Sequence, residues 1–468
     1  MSESNETGVH DGIDRRTKYE TIPSVDALRM KDTYPTRAYA WYVIGILMLV
    51  AADSMLDRQL PALLVKPIRE AFAISDTQFG LLQGFGFVIF YSIMGVPLAR
   101  LVDHHNRPRL IAGGIGIWSV FTVLSGLAAS YWQLFFARMG VGVGEACLMP
   151  AAYSLIADYF PPNQRARALG AYYVAIMIGV GVSLSAGGLL LNLLPKGGVL
   201  LPLVGRLPPW KMTFLFAGAP GLILVLLLPT VKEPVRHELG LTKGDGEGRL
   251  SEFVAHIRAN STSFMALVAC YTFNLAISHA NAAWAPTLYQ RRFGIPAGDI
   301  GIILGIVMTV GGCFGALVGG IVSDGWVAKG IRAGRFRVTL IGWALVIPAI
   351  AWPLIKNPLL SYVFLGVANV AGTLIAASTP ATIQDIVPNR MRGQAVAICV
   401  LISGVFGIGA GPLGVGFLTD YLFGSNGDLP YSLVVFELPV AILGVWISWR
   451  GQKAYGLTYA SLARLRSD

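Results

Sequence analysis

Residues 158–165 read Asp-Tyr-Phe-Pro-Pro-Asn-Gln-Arg, and residues 385–392 read Asp-Ile-Val-Pro-Asn-Arg-Met-Arg. The leading aspartate, the proline and the final arginine keep their spacing across a shift of 227 residues. A second pair lies upstream. Ala99-Arg-Leu-Val-Asp103 is followed by Arg107 and Arg109, and Gly320-Ile-Val-Ser-Asp324 by Arg335 and Arg337, with the aspartates 221 residues apart. Each of the four aspartates closes a long apolar stretch. A chain that repeats its own loops after about half its length was built from two related halves, the construction that supports alternating access in carriers.

Working outward from these loops, the chain divides into twelve apolar stretches: 39–62, 77–99, 110–130, 132–157, 168–194, 211–230, 263–289, 299–322, 338–355, 358–383, 394–419 and 431–449. Each approaches or exceeds the roughly 18–20 residues a helix needs to cross a bilayer. Only 13% of the 468 residues are charged and 54% are hydrophobic, against roughly 25% charged in soluble proteins. No stretch alternates as an outer-membrane strand would. The expected fold is all-α and integral to the membrane, with twelve transmembrane helices in two pseudo-symmetric six-helix bundles. The expected division is a tail (1–38), a first bundle (39–231), a linker (232–262), a second bundle (263–450) and a second tail (451–468).

Charge placement orients the chain. With the N-terminus inside, 26 of the 36 lysines and arginines fall on inner segments and 8 on outer ones. This bias puts both termini in the cytoplasm. The net charge of +10 then faces an anionic leaflet and implies no nucleic-acid partner. The first 38 residues hold no apolar run, so the first span is expected to act as a retained targeting signal. Cys147, Cys270, Cys313 and Cys399 all lie in apolar spans without CxxC spacing, which suits buried small residues better than metal or disulfide chemistry. In the linker, Leu250, Phe253, Val254 and Ile257 share one helical face, as expected of a short amphipathic helix on the inner surface or a plain connecting helix.

The informative residues are ionisable groups inside spans. A charge at mid-bilayer costs at least about 2.5–3.5 kcal/mol and survives by pairing or by facing a wet cavity. Span 1 carries Asp53, Asp57 and Arg58, and span 4 carries Arg138 and Glu145. Asp53 and Asp57 are i, i+4; Arg138 and Glu145 are i, i+7; each pair shares a helix face. The two sets are expected to meet across one interface. A buried carboxyl holds its proton more tightly in an apolar setting and less tightly beside a guanidinium. Separating such a pair therefore loads or releases a proton; the alternative is a static ion-pair network. The loop charges Asp103, Arg107, Asp158, Arg165, Asp324, Asp385 and Arg392 form an expected cytoplasmic gate. In it Asp103 meets Arg165 or Arg167, and Asp324 meets Arg392, unless they serve only topology and capping.

The corresponding spans of the second half lack such charges. Span 7 offers Asn274, His279, Asn281 and Trp284, and span 10 offers Asn369 and Thr373. One wall of the expected cavity is thus charged and the other apolar, aromatic and weakly polar, which suits an amphiphilic ligand with a charged head and a hydrophobic body. A hydrophilic organic anion or a drug handled by the same charges is the alternative. A membrane enzyme is disfavoured: His104-His105 has no further cluster to complete a metal site, and neither a GxSxG motif nor a phosphate-binding loop occurs.

The spans, the paired loops and Arg138-Met-Gly-Val-Gly142-Val-Gly144 resemble the major facilitator superfamily. Ala99 stands where that family commonly has glycine, and Gly320 with Asp324 restores the pattern in the second half. Met55-Leu-Asp57-Arg58-Gln-Leu-Pro, Gly80-Leu-Leu-Gln83, Gly144-Glu145-Ala146 and Trp284-Ala285-Pro286 further resemble its spinster-like lipid transporters. The resemblance implies the major facilitator fold and a proton-linked carrier of lysophospholipid or sphingoid-type lipids. It also implies Asp57 and Glu145 as protonation sites, with Arg58 and Arg138 as their partners or head-group contacts. No cofactor beyond the coupling proton is expected. The expected setting is a monomer in a bacterial inner membrane.

Overall fold

Hydrocarbon offers no hydrogen-bond partner to the backbone, so apolar runs of this length fold as helices that satisfy their own N–H and C=O groups. The computed structural model describes residues 34–202, 204–236, 250–331, 333–388, 391–424 and 428–467. The basic residues expected in the tail up to Lys31, and the linker from 237 to 249, lie outside the described residues. Twelve helices are long and apolar enough to span a bilayer: α1 (Arg37–Leu63), α2 (Asp76–His104), α3 (Arg107–Leu127), α4 (Tyr131–Tyr159), α5 (Pro162–Leu193), α6 (Pro209–Thr230), α7 (Ser261–Phe293), α8 (Ala297–Ala328), α9 (Gly334–Leu354), α10 (Pro358–Asp385), α11 (Arg392–Phe423) and α12 (Leu429–Leu462). Their starts are written locally. Ser75 and Gln78 form a capping box on α2, and the side chains of Asn106, Ser130 and Asn357 accept the first backbone N–H groups of α3, α4 and α10, the usual role of these residue types.

An even number of spans places residues 37 and 467 on one side, here called the linker side. The other carries a small antiparallel hairpin, β1 (Val199–Leu201) and β2 (Gly205–Leu207), and is called the hairpin side. One feature differs from expectation. The last helix does not end at 450 but runs on to Ser467, where Tyr455 stacks on Phe336 at 5.5 Å between ring centroids. The linker helix (Leu250–Ala259) docks against the second bundle: Phe253 is buried, and His256 Nε2 lies 2.9 Å from the Ile386 carbonyl oxygen.

Packing is unequal on the two sides. One apolar core lies inside the first bundle around Trp118 and Tyr172, and another inside the second around Trp343 and Phe336. A third crosses between the bundles, joining Leu60, Phe79 and Leu184 to Trp284, Tyr289 and Ile300. This shared core sits toward the hairpin side. Two glycines make the approach possible. A Cβ on Gly80 would lie 2.5 Å from the Pro412 carbonyl oxygen, and one on Gly188 would lie 2.3 Å from that of Gly298. Gly188→Val is therefore expected to hold the hairpin side apart and abolish transport while leaving each bundle folded. The check is substrate uptake in liposomes together with disulfide cross-linking of cysteines introduced across α5 and α8.

Candidate functional site

The first bundle assembles the charges that the sequence set apart. One turn of α1 places Asp57 inward and Arg58 toward the seam between the bundles. Arg58 Nε donates to Glu145 Oε2 at 2.6 Å. Its guanidinium lies 4.7 and 4.9 Å from the ring centroids of Phe87 and Tyr91 on α2, an attractive arrangement of cation over aromatic face. The Arg58 side chain stays 25% exposed while that of Glu145 is fully covered. Arg138 Nη2 donates to the backbone carbonyl of Asp57 at 2.8 Å, not to its carboxylate. Asp57 is 1% exposed, and neither of its carboxylate oxygens has a hydrogen-bond partner. Asp53, one turn away, accepts from Trp118 Nε1 at 3.4 Å. Asp57, Arg58, Arg138 and Glu145 thus meet, with Glu145 carrying the ion pair, Asp57 buried behind it and Asp53 one turn away.

Beside this pair lies a tyrosine cluster that the sequence reading missed. Tyr153 donates to Tyr173 at 2.6 Å, with Tyr172 6.0 Å from Tyr153 between ring centroids. Tyr271 of α7 is within electrostatic reach of Tyr91 and Tyr173, and His279 of Arg58. Tyr271 and His279 of the second bundle therefore face the tyrosines and Arg58 of the first. The signal was available as aromatic residues on four separate helices, but nothing in a linear chain says that their faces converge.

The second wall is narrower than expected. His279 faces the seam with Nδ1 3.0 Å from its own Leu275 carbonyl oxygen. Asn281 does not: its Oδ1 accepts from Trp352 at 3.0 Å inside the second bundle, because two residues rotate a helix by about 200°. Trp284 is likewise not a cavity residue. It is fully buried, donates to the Pro412 carbonyl at 2.9 Å, and meets Phe79 edge-on in the hairpin-side seal. Asn274 is buried toward Gly372 of α10. Asn369 and Thr373 lie where α10 meets α8, near Met177 of the first bundle. Glu437, for which the sequence suggests no role, is buried beside Asn281.

The linker-side charges pair differently from expectation. Asp103 is exposed and offers its backbone carbonyl to Arg236, and Asp324 lies 3.5 Å from Arg335. Arg165 and Arg392 each donate to a backbone carbonyl, of Phe160 and Gln384. The stronger networks lie within each bundle. Arg107 is fully buried and donates to Asp158 at 2.5 Å, to Glu233 at 2.7 Å and to Ser154 at 2.8 Å. In the second bundle Arg335 and Tyr455 each donate to Asp385 at 2.7 Å. The two networks are repeat-related: an arginine at the start of the third or ninth helix holds the aspartate that ends the fourth or tenth. The expected latch missed this because a short loop turns its arginine back under its own bundle.

Contacts that join the bundles concentrate on the hairpin side. Asp76 is fully buried and receives both Arg291 Nη atoms at 2.7 Å, with Arg69 at 3.0 Å. Asp420 of α11 accepts from the Thr77 backbone at 2.6 Å and its hydroxyl at 2.5 Å, capping α2 from the other bundle. Asn192 donates to Asp299 at 2.9 Å.

A family model described as Major Facilitator Superfamily matches residues 47–412. The chain belongs to the major facilitator superfamily. Within it, the fold is similar to the crystal structure of a bacterial homologue of the human lysosomal transporter Spinster, in an inward-facing and unoccupied conformation. That match has a TM-score of 0.76 and 26% identity, covering 92% of this chain and 99% of that one. Protein spinster of Drosophila melanogaster is 24% identical over 81% of this chain, which spans 62% of the fly protein's length. An MFS-type efflux pump of Mycolicibacterium smegmatis is 29% identical over 89% of this chain and 93% of its own length. This superfamily member is thus a spinster-like transporter, not an enzyme.

Proposed function

We propose that this transporter moves a lysolipid or sphingoid-like amphiphile across a bacterial inner membrane by alternating access coupled to protons, as a monomer with both termini in the cytoplasm. The observation that carries this reading is the Arg58–Glu145 pair at the seam. It is an ion pair between α1 and α4 whose arginine side chain is 25% exposed while its carboxylate is covered, with Tyr271 and His279 of the second bundle opposite. A head group that displaces Glu145 from Arg58 leaves a buried carboxylate without its cation, and such a group takes up a proton. Head-group binding and proton binding then compete for one guanidinium, which is the minimal linkage for coupled transport. An acyl tail gains about 0.8 kcal/mol for each buried CH₂, and α2, α5, α8 and α11 carry exposed apolar side chains, among them Ile93, Ile178, Val310 and Phe406. With the linker side taken as cytoplasmic, clasped hairpin-side contacts correspond to an inward-facing carrier.

The second reading, export of a drug or hydrophilic organic anion, is favoured by the similarity to the mycobacterial efflux pump. One experiment separates them. In proteoliposomes with an imposed pH gradient, a fluorescent lysolipid is expected to accumulate, and Glu145→Gln is expected to abolish accumulation while retaining exchange at equal pH. Transport of organic anions or cationic dyes without lysolipid movement would install the second reading.

A further inference from the structure

The buried polar atoms that lack partners are not scattered. Six of them lie together in the first bundle: both carboxylate oxygens of Asp57, Ser119 Oγ, Thr122 Oγ1, Arg138 Nη1 and Glu145 Oε1. Leaving one buried polar group unsatisfied costs roughly 1–3 kcal/mol. A static ion-pair network would close these groups on one another; instead Arg138 turns to the Asp57 backbone and leaves the carboxylate bare. The atoms form a ladder. Asp53 meets Trp118 on the first rung. One turn on, Asp57 and Thr122 share the second, each four residues along its own helix; α4 runs antiparallel to both, with the turn of Glu145 against Trp118 at the first rung and Arg138 at the second through the Asp57 carbonyl. Gly221 of α6 faces the first rung with no side chain. The point where its Cβ would sit is 2.1 Å from Ser119 Oγ and 2.9 Å from Asp53 Oδ2, so those two oxygens are at most about 5 Å apart.

We infer that Ser119 and Thr122 of α3, with Asp53 and Asp57 of α1, form a proton relay inside the first bundle, bridged by water and separate from the substrate path between the bundles. The relay rests on the proton coupling proposed above. In each hop one O–H bond breaks as the next forms, so a proton that reaches Glu145 from Asp57 is replaced through Thr122, Ser119 and Asp53 from the linker side. The groups facing it are Trp118 from α3, Arg138 and Glu145 from α4 and, through Glu145, Arg58; α6 contributes only Gly221. Arg138 holds the second rung by fixing the Asp57 backbone without neutralising its carboxylate. Because Asp57 is covered while Arg58 is part-exposed, a ligand filling the seam leaves the proton route open.

The test uses the full chain in liposomes with the fluorescent lysolipid and an entrapped pH-sensitive dye. Thr122→Val keeps shape and removes the hydroxyl. It is expected to slow pH-driven accumulation and dye response about tenfold or more while leaving equal-pH exchange within about twofold, with Thr122→Ser restoring both. Ser119→Ala, a smaller change, serves if the valine variant does not assemble. Undiminished proton coupling in both variants, or parallel loss of exchange and coupling, overturns the relay. A parent chain that moves lysolipid with no pH dependence overturns the coupling reading itself.

Discussion

Arg291→Ala should release the hairpin side and drive the carrier toward the state open on that side. Asp76 is fully buried and is held by two arginines, one from its own bundle and one from the other. Arg291 contributes a two-bonded contact across the seam, the strongest geometry available to a guanidinium and a carboxylate. Removing one partner of a buried pair costs about 3–5 kcal/mol. Arg69 remains on Asp76, so the lower end, about 3 kcal/mol, is the appropriate figure. That corresponds to roughly a hundredfold shift between two states whose balance transport requires to be close. The cost falls only on the clasped state, because Arg291 and Asp76 belong to different bundles. A cysteine introduced on the hairpin-side stretch of α8 should label rapidly with a membrane-impermeant maleimide in Arg291→Ala and slowly in the parent. Asp76→Asn should act in the same direction. Equal labelling rates would show that the apolar core around Phe79 and Trp284, not the ion pair, sets the balance.

Arg107→Ala should cost the protein its folded yield, whereas Arg335→Ala should be tolerated better. Both arginines hold the aspartate at the end of a neighbouring helix, but their surroundings differ. Arg107 is fully buried and serves Asp158, Glu233 and Ser154 at once. Its removal takes away the buried cation that Asp158 and Glu233 share, a loss of about 3–5 kcal/mol, even though Arg236 stays 3.6 Å from Glu233. Arg335 is 22% exposed along its side chain, and Asp385 keeps the Tyr455 hydroxyl if Arg335 is lost. Water and tyrosine can take over part of its role, so a loss of about 1–2 kcal/mol is expected. Thermal unfolding in detergent should show the larger fall in midpoint for Arg107→Ala, and Arg107→Lys should recover part of it. If the two variants fall equally, the networks hold the bundles symmetrically and the difference in burial carries no energetic weight.

The sequence by itself determined the twelve spans, the two-fold repeat, and the pairing of α1 with α4 through Asp57, Arg58, Arg138 and Glu145. These follow from effects that act along one helix: apolar length, capping side chains, and the i, i+4 or i, i+7 spacing that fixes a shared face. Tertiary structure alone decided which atoms of those residues meet. It turned Arg138 to a backbone carbonyl and Arg58 to Glu145. It rotated Asn281 away from the seam while leaving His279 at it, drew Trp284 into a seal, and set Arg107 on Asp158 and Arg335 on Asp385 where Asp103 with Arg165 or Arg167, and Asp324 with Arg392, were the expected pairs. It also made the Asp76 clasp and the tyrosine cluster, whose members are 215 residues apart in one case and lie on four helices in the other. The reason is geometric: a linear pattern fixes a residue's azimuth on its own helix, but partners are chosen by how whole helices rotate and approach. Here glycines at Gly80 and Gly188 set that approach through backbone contacts that no side-chain pattern encodes.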